Sequence, residues 1–301
     1  MSTLVLGAAI VDKIMNINAL PNSGDDICAQ SEATTVGGCA YNVSNILLNL
    51  GIDHDLVVPV GSGMYGDTIE KELVKNGYKV FIKDQNKDNG YCLCLVESCG
   101  ERTFITVQGI ECEFKKEWLY SLDTNKYDSI YISGYELEGN SGKVIADFLE
   151  DNKHMKIYFA PGPRITYLDK DVINKIFSLN PIVHLNDKEA IEYTNLDDIE
   201  KSLVEIHNKT KNTVLVTVGE KGCLYIDDNK IKLIKGYKVE VIDTIGAGDS
   251  HIAGVIGALS KGYDLEEAIN IANKIASKVV ATKGPILDKN TFDKKEFLKC
   301  N

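Results

Sequence analysis

The stretch that most constrains the fold is a turn with two glycines and an acid, residues 245–249 (Ile-Gly-Ala-Gly-Asp). An apolar, β-prone segment (residues 237–242) precedes this turn, and a run of small residues typical of a helix follows it. The pattern predicts a strand, a tight turn and the first turn of a helix. Gly246, Ala247 and Gly248 have almost no side chain, so their backbone N–H groups can approach an anionic ligand closely.

The acid in this turn, Asp249, has two interpretations. A carboxylate beside an anion-binding turn could accept a proton from a hydroxyl that attacks a phosphoryl group. A carboxylate in the first turn of a helix is also a common capping residue that has no catalytic role. The turn alone is compatible with both interpretations, so motifs elsewhere in the chain are needed to distinguish them.

The length and the charge of the chain narrow its class, since 301 residues are enough for one large α/β domain or two smaller ones. The 301 residues carry a formal net charge of −11, which argues against a nucleic-acid polymer or an anionic membrane as the main partner. No apolar run reaches membrane-spanning length, and the N-terminus lacks the basic region of a signal peptide. These observations predict a cytoplasmic protein, whose eight cysteines are reduced and packed.

The N-terminal third combines a buried strand with two segments that interrupt the β/α order. The apolar run of residues 4–11 predicts one strand of a parallel sheet, with Asp12 at its carboxyl end, where α/β sheets bind ligands. Residues 91–108 alternate around a turn and predict a hairpin, whose Cys92 and Cys94 point to the same face. Residues 40–50 predict a helix that ends at Gly51.

A second glycine pattern favours a different enzyme. Gly61, Gly63 and Gly66 follow an apolar segment and precede a predicted helix, which is the arrangement of a dinucleotide-binding turn. Asp84 lies near the distance expected for an acid that binds a ribose. An NAD(P)-dependent oxidoreductase is therefore one alternative. A non-catalytic sugar or nucleotide sensor is the other.

Two motifs together resemble a known family. Residues 243–249 (Asp-Thr-Ile-Gly-Ala-Gly-Asp) and residues 37–42 (Gly-Gly-Cys-Ala-Tyr-Asn) are similar to the two signatures of the ribokinase-like (PfkB-type) carbohydrate kinases. The resemblance covers nearly the whole chain. It implies a three-layer α/β sandwich with a mostly parallel central sheet, formed by residues 1–301 as a single domain. A small β-sheet lid, formed by residues 13–36 and 87–110, is implied as well, and the lid could pair two copies in a homodimer.

The resemblance also implies residue roles. Asp249 would be the catalytic base, with Gly246, Ala247 and Gly248 as anion donors. The expected substrate-binding residues are Asp12, Gly37, Gly38, Asn42 and Asp249. The expected nucleotide-binding residues are Asn186, Thr217, Gly219, Gly222, Gly246, Gly248 and Asn273. Asn186 and Glu189 would organise Mg²⁺ through water, and Asp243 with the Ile245 carbonyl could hold a monovalent cation such as K⁺. A helix capping box is the alternative for Asn186 and Glu189.

The function predicted from these residues is ATP-dependent phosphorylation of a hydroxymethyl group on a small sugar or nucleoside. Mg²⁺ would neutralise phosphate charge. The sequence leaves ribose, fructose, a keto-deoxy acid and a nucleoside such as pseudouridine open as acceptors.

Overall fold

The computed structural model describes residues 1–282, residue 284 and residues 292–298. Within this part of the chain the strands are β1 (Thr3–Leu6), β2 (Ile10–Ile17), β3 (Ser31–Gly37), β4 (His54–Val57), β5 (Pro59–Val60), β6 (Ile82–Lys83), β7 (Tyr91–Glu97), β8 (Arg102–Val107), β9 (Ser129–Ser133), β10 (Lys156–Ala160), β11 (Ile182–Asn186), β12 (Val214–Thr217), β13 (Gly222–Asp227) and β14 (Lys230–Lys235). Cys300 lies outside the described residues, as does part of the predicted domain 1–301.

The helices in the same residues are α1 (Cys39–Leu50), α2 (Met64–Lys75), α3 (Lys116–Leu119), α4 (Gly139–Asp151), α5 (Lys170–Ser178), α6 (Asp187–Thr194), α7 (Ile199–Thr210), α8 (Ala247–Ser260) and α9 (Leu265–Val280). The predicted helix 40–50 is confirmed as α1, and Gly51 follows it with a left-handed φ of 69°. No helix in the described part of the chain is both long and apolar enough to cross a bilayer.

The central sheet has the order β14-β13-β12-β11-β10-β9-β1-β4. The six strands from β12 to β4 in this order are parallel to one another, whereas β13 is antiparallel to both β12 and β14. Alternate side chains of each strand enter different cores. Val5 packs in the core with α1, α8 and α9, whereas Leu4 and Leu6 pack in the core with α4, α5 and α7. Helices therefore cover both faces of the sheet, which confirms the predicted three-layer sandwich.

The N-terminal apolar run forms two strands, so the prediction of one continuous strand over residues 4–11 was wrong. β1 ends at Leu6, and β2 begins at Ile10 in a different sheet. A Cβ atom at Gly7 would lie 2.9 Å from the Cβ of Ala40 and 3.0 Å from a carboxylate oxygen of Glu136, so the chain passes tightly between them. Asp12 therefore belongs to the second sheet and does not end a central strand.

The second sheet has the order β3-β2-β7-β8 and forms the lid. It contains both segments that interrupt the β/α order, and β7 with β8 is the predicted hairpin. Asp12 pairs with Thr35 on one side and with Cys92 on the other. Cys92 and Cys94 are both buried on their shared face of β7, whereas Cys28 and Cys99 are exposed, so the prediction of packed thiols was wrong for those two.

The strand predicted over residues 237–242 was also wrong. β14 ends at Lys235, and an irregular segment continues to the start of α8. Val241 and Ile242 are each 60% exposed, and the backbone N–H groups of Ile242 and Asp243 both donate to the Val280 carbonyl. The apolar side chains of this segment line an open cleft, so their alternation does not mark the face of a sheet.

Candidate active site

The acid of the glycine turn contacts the first turn of another helix. Gly246 is the N-cap of α8 with φ 74°, and Asp249 is the third helical residue. The side-chain amide of Asn42, in α1, donates to Oδ2 of Asp249 at 2.8 Å. Among the described residues the other amide atom of Asn42, Oδ1, is buried and has no hydrogen-bond partner. An acceptor with a free lone pair therefore stands beside the acid, as a hydroxyl ligand requires.

The glycine before α1 makes this contact possible. Gly38 has φ 101°, and a Cβ atom there would lie 2.6 Å from the carbonyl oxygen of Ala8. Only glycine tolerates both the left-handed backbone and that approach. The next residue, Cys39, donates its thiol hydrogen to the Asp249 carboxylate, and burial raises the pKa of that thiol well above its usual value. No local pattern in the sequence indicates this contact, because 210 residues separate Cys39 from Asp249.

Burial determines the protonation of Asp249. Removal from water raises its pKa to about 6, although the hydrogen bonds from Asn42 and Cys39 act in the opposite direction. At pH 7 the carboxylate is therefore mostly ionised and close to the range in which it can exchange a proton. A poised carboxylate is the property that a general base needs.

Asp12 lies beside the same loop. A Cβ atom at Gly37 would lie 2.1 Å from Oδ2 of Asp12, so the carboxylate packs directly over this glycine. Burial raises the pKa of Asp12 to about 7. Because two residues of extended chain span roughly 7 Å, Gly37 under Asp12 and Cys39 beside Asp249 are close neighbours. The structure thus brings the predicted substrate-binding residues together around the connection at Gly37 and Gly38.

The predicted nucleotide-binding residues line one cleft of about 490 Å³ at the carboxyl ends of β11 and β12. The predicted residues in its wall are Asn186, Thr217, Gly219, Gly222, Ala247, Gly248 and Asn273. Gly246 adjoins them as the N-cap of α8. Lys188 also lines the cleft, and the sequence analysis did not single it out.

Asn186 and Glu189 form the capping box that the sequence left as an alternative. The Asn186 side chain accepts from the Glu189 backbone N–H at 2.8 Å, and the Glu189 carboxylate accepts from both nitrogens of Asn186. Burial raises the pKa of Glu189, and the charge of Asp249 adds to the rise. The capping box and a role near phosphates are compatible, because two of the roughly four lone-pair positions of the carboxylate remain.

The second glycine pattern does not form a dinucleotide site. β5, which precedes it, pairs only with β6 among the described strands and is not part of the central sheet. The Asp88 carboxylate accepts from the backbone N–H groups of Tyr65 and Gly66 at the start of α2, where a pyrophosphate would have to bind. Asp84 is held by Lys115 and by two backbone N–H groups.

A model of one protein family, pfkB family carbohydrate kinase, matches residues 2–291. The chain belongs to this family. The uncharacterized sugar kinase YegV of Escherichia coli (strain K12) is 33% identical over 287 residues, which cover 94% of this chain and 89% of that protein. The family makes the chain a phosphotransferase with an alcohol acceptor, so neither the oxidoreductase nor the non-catalytic sensor is retained.

Solved structures support the fold of a pfkB family kinase. A ribokinase from Thermotoga maritima has a TM-score of 0.84 at 21% identity, with 99% of both chains covered. The Arabidopsis thaliana ribokinase complexed with ribose and ATP has a TM-score of 0.81 at 20% identity, again with 99% of both chains covered. At these identities the similarity concerns the fold, which includes the central sheet and the lid.

The pfkB family implies ATP and Mg²⁺, and the residues present fit both. The cleft combines glycine backbone, the N-terminus of α8 and Lys188, which suit a polyphosphate. The described residues contain no cluster of three or more His, Cys, Asp or Glu side chains that could hold a metal ion. Mg²⁺ does not need such a cluster, because it usually keeps several waters and binds one or two carboxylates. Glu189 is the carboxylate that is hydrogen-bonded to Asn186, a residue of the cleft wall.

A buried histidine pair adjoins this cleft, whose wall includes His251, and no local sequence pattern indicates the pair. The Asn273 amide donates to the carbonyls of Ile234 and Lys235, so its oxygen faces Nε2 of His251 at 3.2 Å. His251 Nε2 must therefore carry a hydrogen, and its Nδ1 accepts from Nε2 of His184 at 2.9 Å. Asn273 lines the cleft as predicted, but its amide is committed to these internal contacts.

The histidine pair predicts acid sensitivity. Burial lowers the pKa of His251 to about 4, and burial also lowers the pKa of His184 far below its usual value. The unfolded chain binds more protons below about pH 6.5, so stability is complete above that pH and falls as the pH approaches 4. For His251, the difference between a pKa of about 6.5 in the unfolded chain and about 4 in the folded protein amounts to about 2 kcal/mol of stability between pH 8 and pH 5. Between pH 8 and pH 5, we expect the free energy of unfolding of His251→Phe to fall by about 2 kcal/mol less than that of the wild type.

Urea unfolding of both proteins at pH 8 and pH 5 measures this difference. His154→Phe is the control, because His154 is exposed and its ring hydrogen-bonds to the Thr124 carbonyl. Equal acid losses for His251→Phe and the wild type would show that the buried pair does not govern acid stability.

Proposed function

We propose that this pfkB family kinase transfers the terminal phosphoryl group of ATP, with Mg²⁺, to a hydroxymethyl group of a small sugar or nucleoside. The observation that carries the proposal is the 2.8 Å hydrogen bond from Asn42 to Asp249. It joins the glycine turn at the nucleotide cleft to the loop that lies under Asp12. An acceptor hydroxyl held at this junction would face both an acid and the anion-binding end of α8.

In the proposed mechanism, Asp12 and the free Oδ1 of Asn42 orient the acceptor by taking hydrogen bonds from its hydroxyl groups. Asp249 receives the proton of the attacking hydroxyl. The transition state for phosphoryl transfer is loose, so the hydroxyl keeps its proton until late and a carboxylate of moderate basicity is sufficient. Glu189 and Asn186 would hold Mg²⁺ through water, and the ion would supply neutralisation of phosphate charge.

Backbone donors at the start of α8 would stabilise the transferred group. The first bond within the helix runs from the Ser250 N–H to the Gly246 carbonyl at 2.8 Å. The N–H groups of Gly248 and Asp249 precede it and have no acceptor inside the helix. The Ala247 N–H already donates to the Thr244 carbonyl at 3.3 Å, so Gly248 and Asp249 are better placed for this role than Ala247.

The experiment that tests the proposal is ATP consumption with a panel of acceptors. Ribose, fructose, a keto-deoxy acid and nucleosides including pseudouridine should separate into substrates and non-substrates by at least tenfold in kcat/KM. Turnover with none of them, together with tighter binding of NADH than of an ATP analogue in a fluorescence titration, would contradict the proposal.

The two raised carboxylate pKa values predict an acid limb in the pH profile. Both groups act as carboxylates, and a raised pKa means that each is lost as the pH falls through it. We expect kcat/KM to fall about tenfold per pH unit below about pH 7, where Asp12 gains its proton. The fall should steepen toward about 100-fold per unit below about pH 6, where Asp249 follows.

Initial rates from pH 5 to pH 9 measure this profile. Asp12→Asn should remove the upper step, whereas Glu32→Gln, at an exposed position of the lid, should leave both steps unchanged. An Asp12→Asn profile with the same shape as that of the wild type would rule out Asp12 as the upper group.

We also propose that the lid pairs two copies of the chain. β8 is an edge strand of the lid sheet, and its Phe104, Ile105 and Val107 are 55%, 53% and 46% exposed. An exposed apolar edge strand is a surface that proteins usually cover. Analytical ultracentrifugation should show a dimer for the wild type and a monomer for Ile105→Lys, because the substitution places a charge in the proposed interface. A monomeric wild type would contradict the proposal.

The cytoplasmic location and the single domain remain predictions.

A further inference from the structure

The lid and the glycine turn are joined by one ion pair. Arg102 begins β8 at the end of the lid hairpin, and its Nη1 donates to Oδ1 of Asp243 at 2.5 Å. The two side chains are only 18% and 7% exposed. The lid turn and residues 241–245 otherwise enclose a cavity of about 580 Å³, so this ion pair bridges two segments that are largely separated.

The Asp243 carboxylate is surrounded by hydrogen-bond donors. Oδ1 also accepts from the Ile245 N–H at 2.8 Å, and Oδ2 accepts from the Gly284 N–H at 3.0 Å. Burial would raise the pKa of this carboxyl group, but the hydrogen bonds from Arg102, Ile245 and Gly284 lower it. The side chain is therefore ionised, and its charge is balanced by a guanidinium.

These contacts do not fit the monovalent cation that the sequence analysis placed at Asp243 and the Ile245 carbonyl. A cation needs oxygen lone pairs directed toward it, whereas three N–H donors point at this carboxylate. K⁺ beside Oδ1 would also lie next to the positive charge of Arg102, and like charges that are screened little by water repel strongly. The positive charge near Asp243 is already supplied by the chain.

Arg102 and Asp12 belong to the same rigid element. Arg102 pairs with Val96 across the hairpin, and Asp12 pairs with Cys92 on the same strand, β7. Residues 92 and 96 point to one face of the sheet, so Arg102 and Asp12 share that face. A movement of the lid would displace both side chains together. Asp243 is three residues before Gly246, the N-cap of the anion-binding helix.

We propose that Arg102 takes the place of a monovalent cation at Asp243 and positions the glycine turn when the lid is docked. This inference rests on the proposed kinase function. Arg102 is a positioning residue, because it acts on the turn through Asp243 and touches no reacting atom. The kinase should therefore not require K⁺, and the geometry of the turn should depend on the lid.

A stability measurement tests the cation without any substrate. Thermal unfolding in KCl is compared with tetramethylammonium chloride at equal ionic strength. We expect equal midpoints for the wild type. Arg102→Met removes the charge but keeps much of the side-chain volume, and it should gain a K⁺-specific rise of the midpoint because an ion that binds only the folded state stabilises it.

Lys115→Met is a matched control for the loss of an ion pair. Lys115 contacts Asp84, which is another nearly buried carboxylate that also accepts from two backbone N–H groups. The hydrogen bonds of Asp84 come from Lys115, Asn86 and Lys87 and not from the glycine turn, so the variant should show no K⁺-specific effect. Hydrogen exchange of residues 97–107 should become faster in Arg102→Met and stay unchanged in Lys115→Met.

Kinetics supply the remaining readout. Arg102→Met should lose about tenfold or more in kcat in tetramethylammonium chloride, and millimolar guanidinium or K⁺ should restore part of the loss, while Arg102→Lys should retain more activity. Several-fold activation of the wild type by K⁺ would overturn the inference. An unchanged rate of hydrogen exchange of residues 97–107 in Arg102→Met would overturn it as well. If the wild type phosphorylates no acceptor, the proposed function fails, but the stability and exchange measurements still decide the role of Arg102.

Discussion

Asp249→Asn should lower kcat by about 10² to 10⁴ and leave the affinity for an ATP analogue within about twofold of the wild type. The substitution removes the proton acceptor, but it retains the shape of the side chain and can keep the contact with Asn42. Nucleotide affinity should persist because the cleft is lined by glycine backbone and other side chains. Steady-state rates and calorimetric titration with a non-hydrolysable ATP analogue measure the two effects.

Asp67→Asn is the matched control for this variant. Asp67 is also an acid in the first turn of a helix, α2, but it is exposed. The backbone N–H groups at the start of that helix already donate to Asp88. It should keep normal rates. Full turnover of Asp249→Asn would exclude the general-base role. A large loss of nucleotide affinity would instead show that Asp249 acts mainly on the shape of the turn.

Gly248→Ala should make the protein more stable and nearly inactive. A Cβ atom at Gly248 would meet no other atom within 4 Å, and the residue is helical, so alanine should raise stability by about 0.5 to 1 kcal/mol. The open space beside Gly248 is the cleft itself. A methyl group there would displace a phosphoryl group from the backbone donors. A shift of about 1 Å costs about 100-fold in rate, so we expect at least that loss in kcat/KM.

Gly254→Ala should show the opposite combination. A Cβ atom at Gly254 would lie 2.8 Å from the Cα of Ala272, so the variant should force α8 and α9 apart and lose about 1 to 3 kcal/mol. Gly254 is absent from the cleft wall, and the folded fraction should keep its activity. Urea unfolding measures the stability of both variants, and initial rates measure their activity. A Gly248→Ala protein with wild-type rates would mean that the phosphoryl group does not pass close to this backbone.

Elements whose signals lie within a few neighbouring residues were predictable. α1 and its Gly51 C-terminus, the β7–β8 hairpin and the start of α8 each follow from local periodicity and turn residues. The capping box of Asn186 and Glu189 is equally local, since three residues separate its partners.

Two strand predictions failed because a pattern of apolar residues does not show which other element, if any, packs against those side chains. Residues 237–242 alternate as a strand does, but Val239 and Val241 line the cleft. Residues 4–11 form one apolar run, but the close approach of Ala40 and Glu136 at Gly7 separates it into strands of two sheets. Similarly, the pattern of Gly61, Gly63 and Gly66 is local, whereas the Asp88 carboxylate that occupies its helix N-terminus comes from 22 residues further on.

The α/β class, the lid hairpin and the family could be predicted from the amino-acid sequence, because periodicity, turn chemistry and two short signatures are local properties of a chain. The contacts between distant side chains could not be predicted in this way: Asn42 meets Asp249 across 207 residues, Arg102 meets Asp243 across 141, and His184 meets His251 across 67. Such pairs depend on how the central sheet, the lid and α8 pack together. The pKa values of Asp12 and Asp249 depend on the same packing, since burial, which no local pattern specifies, is the main cause of both shifts.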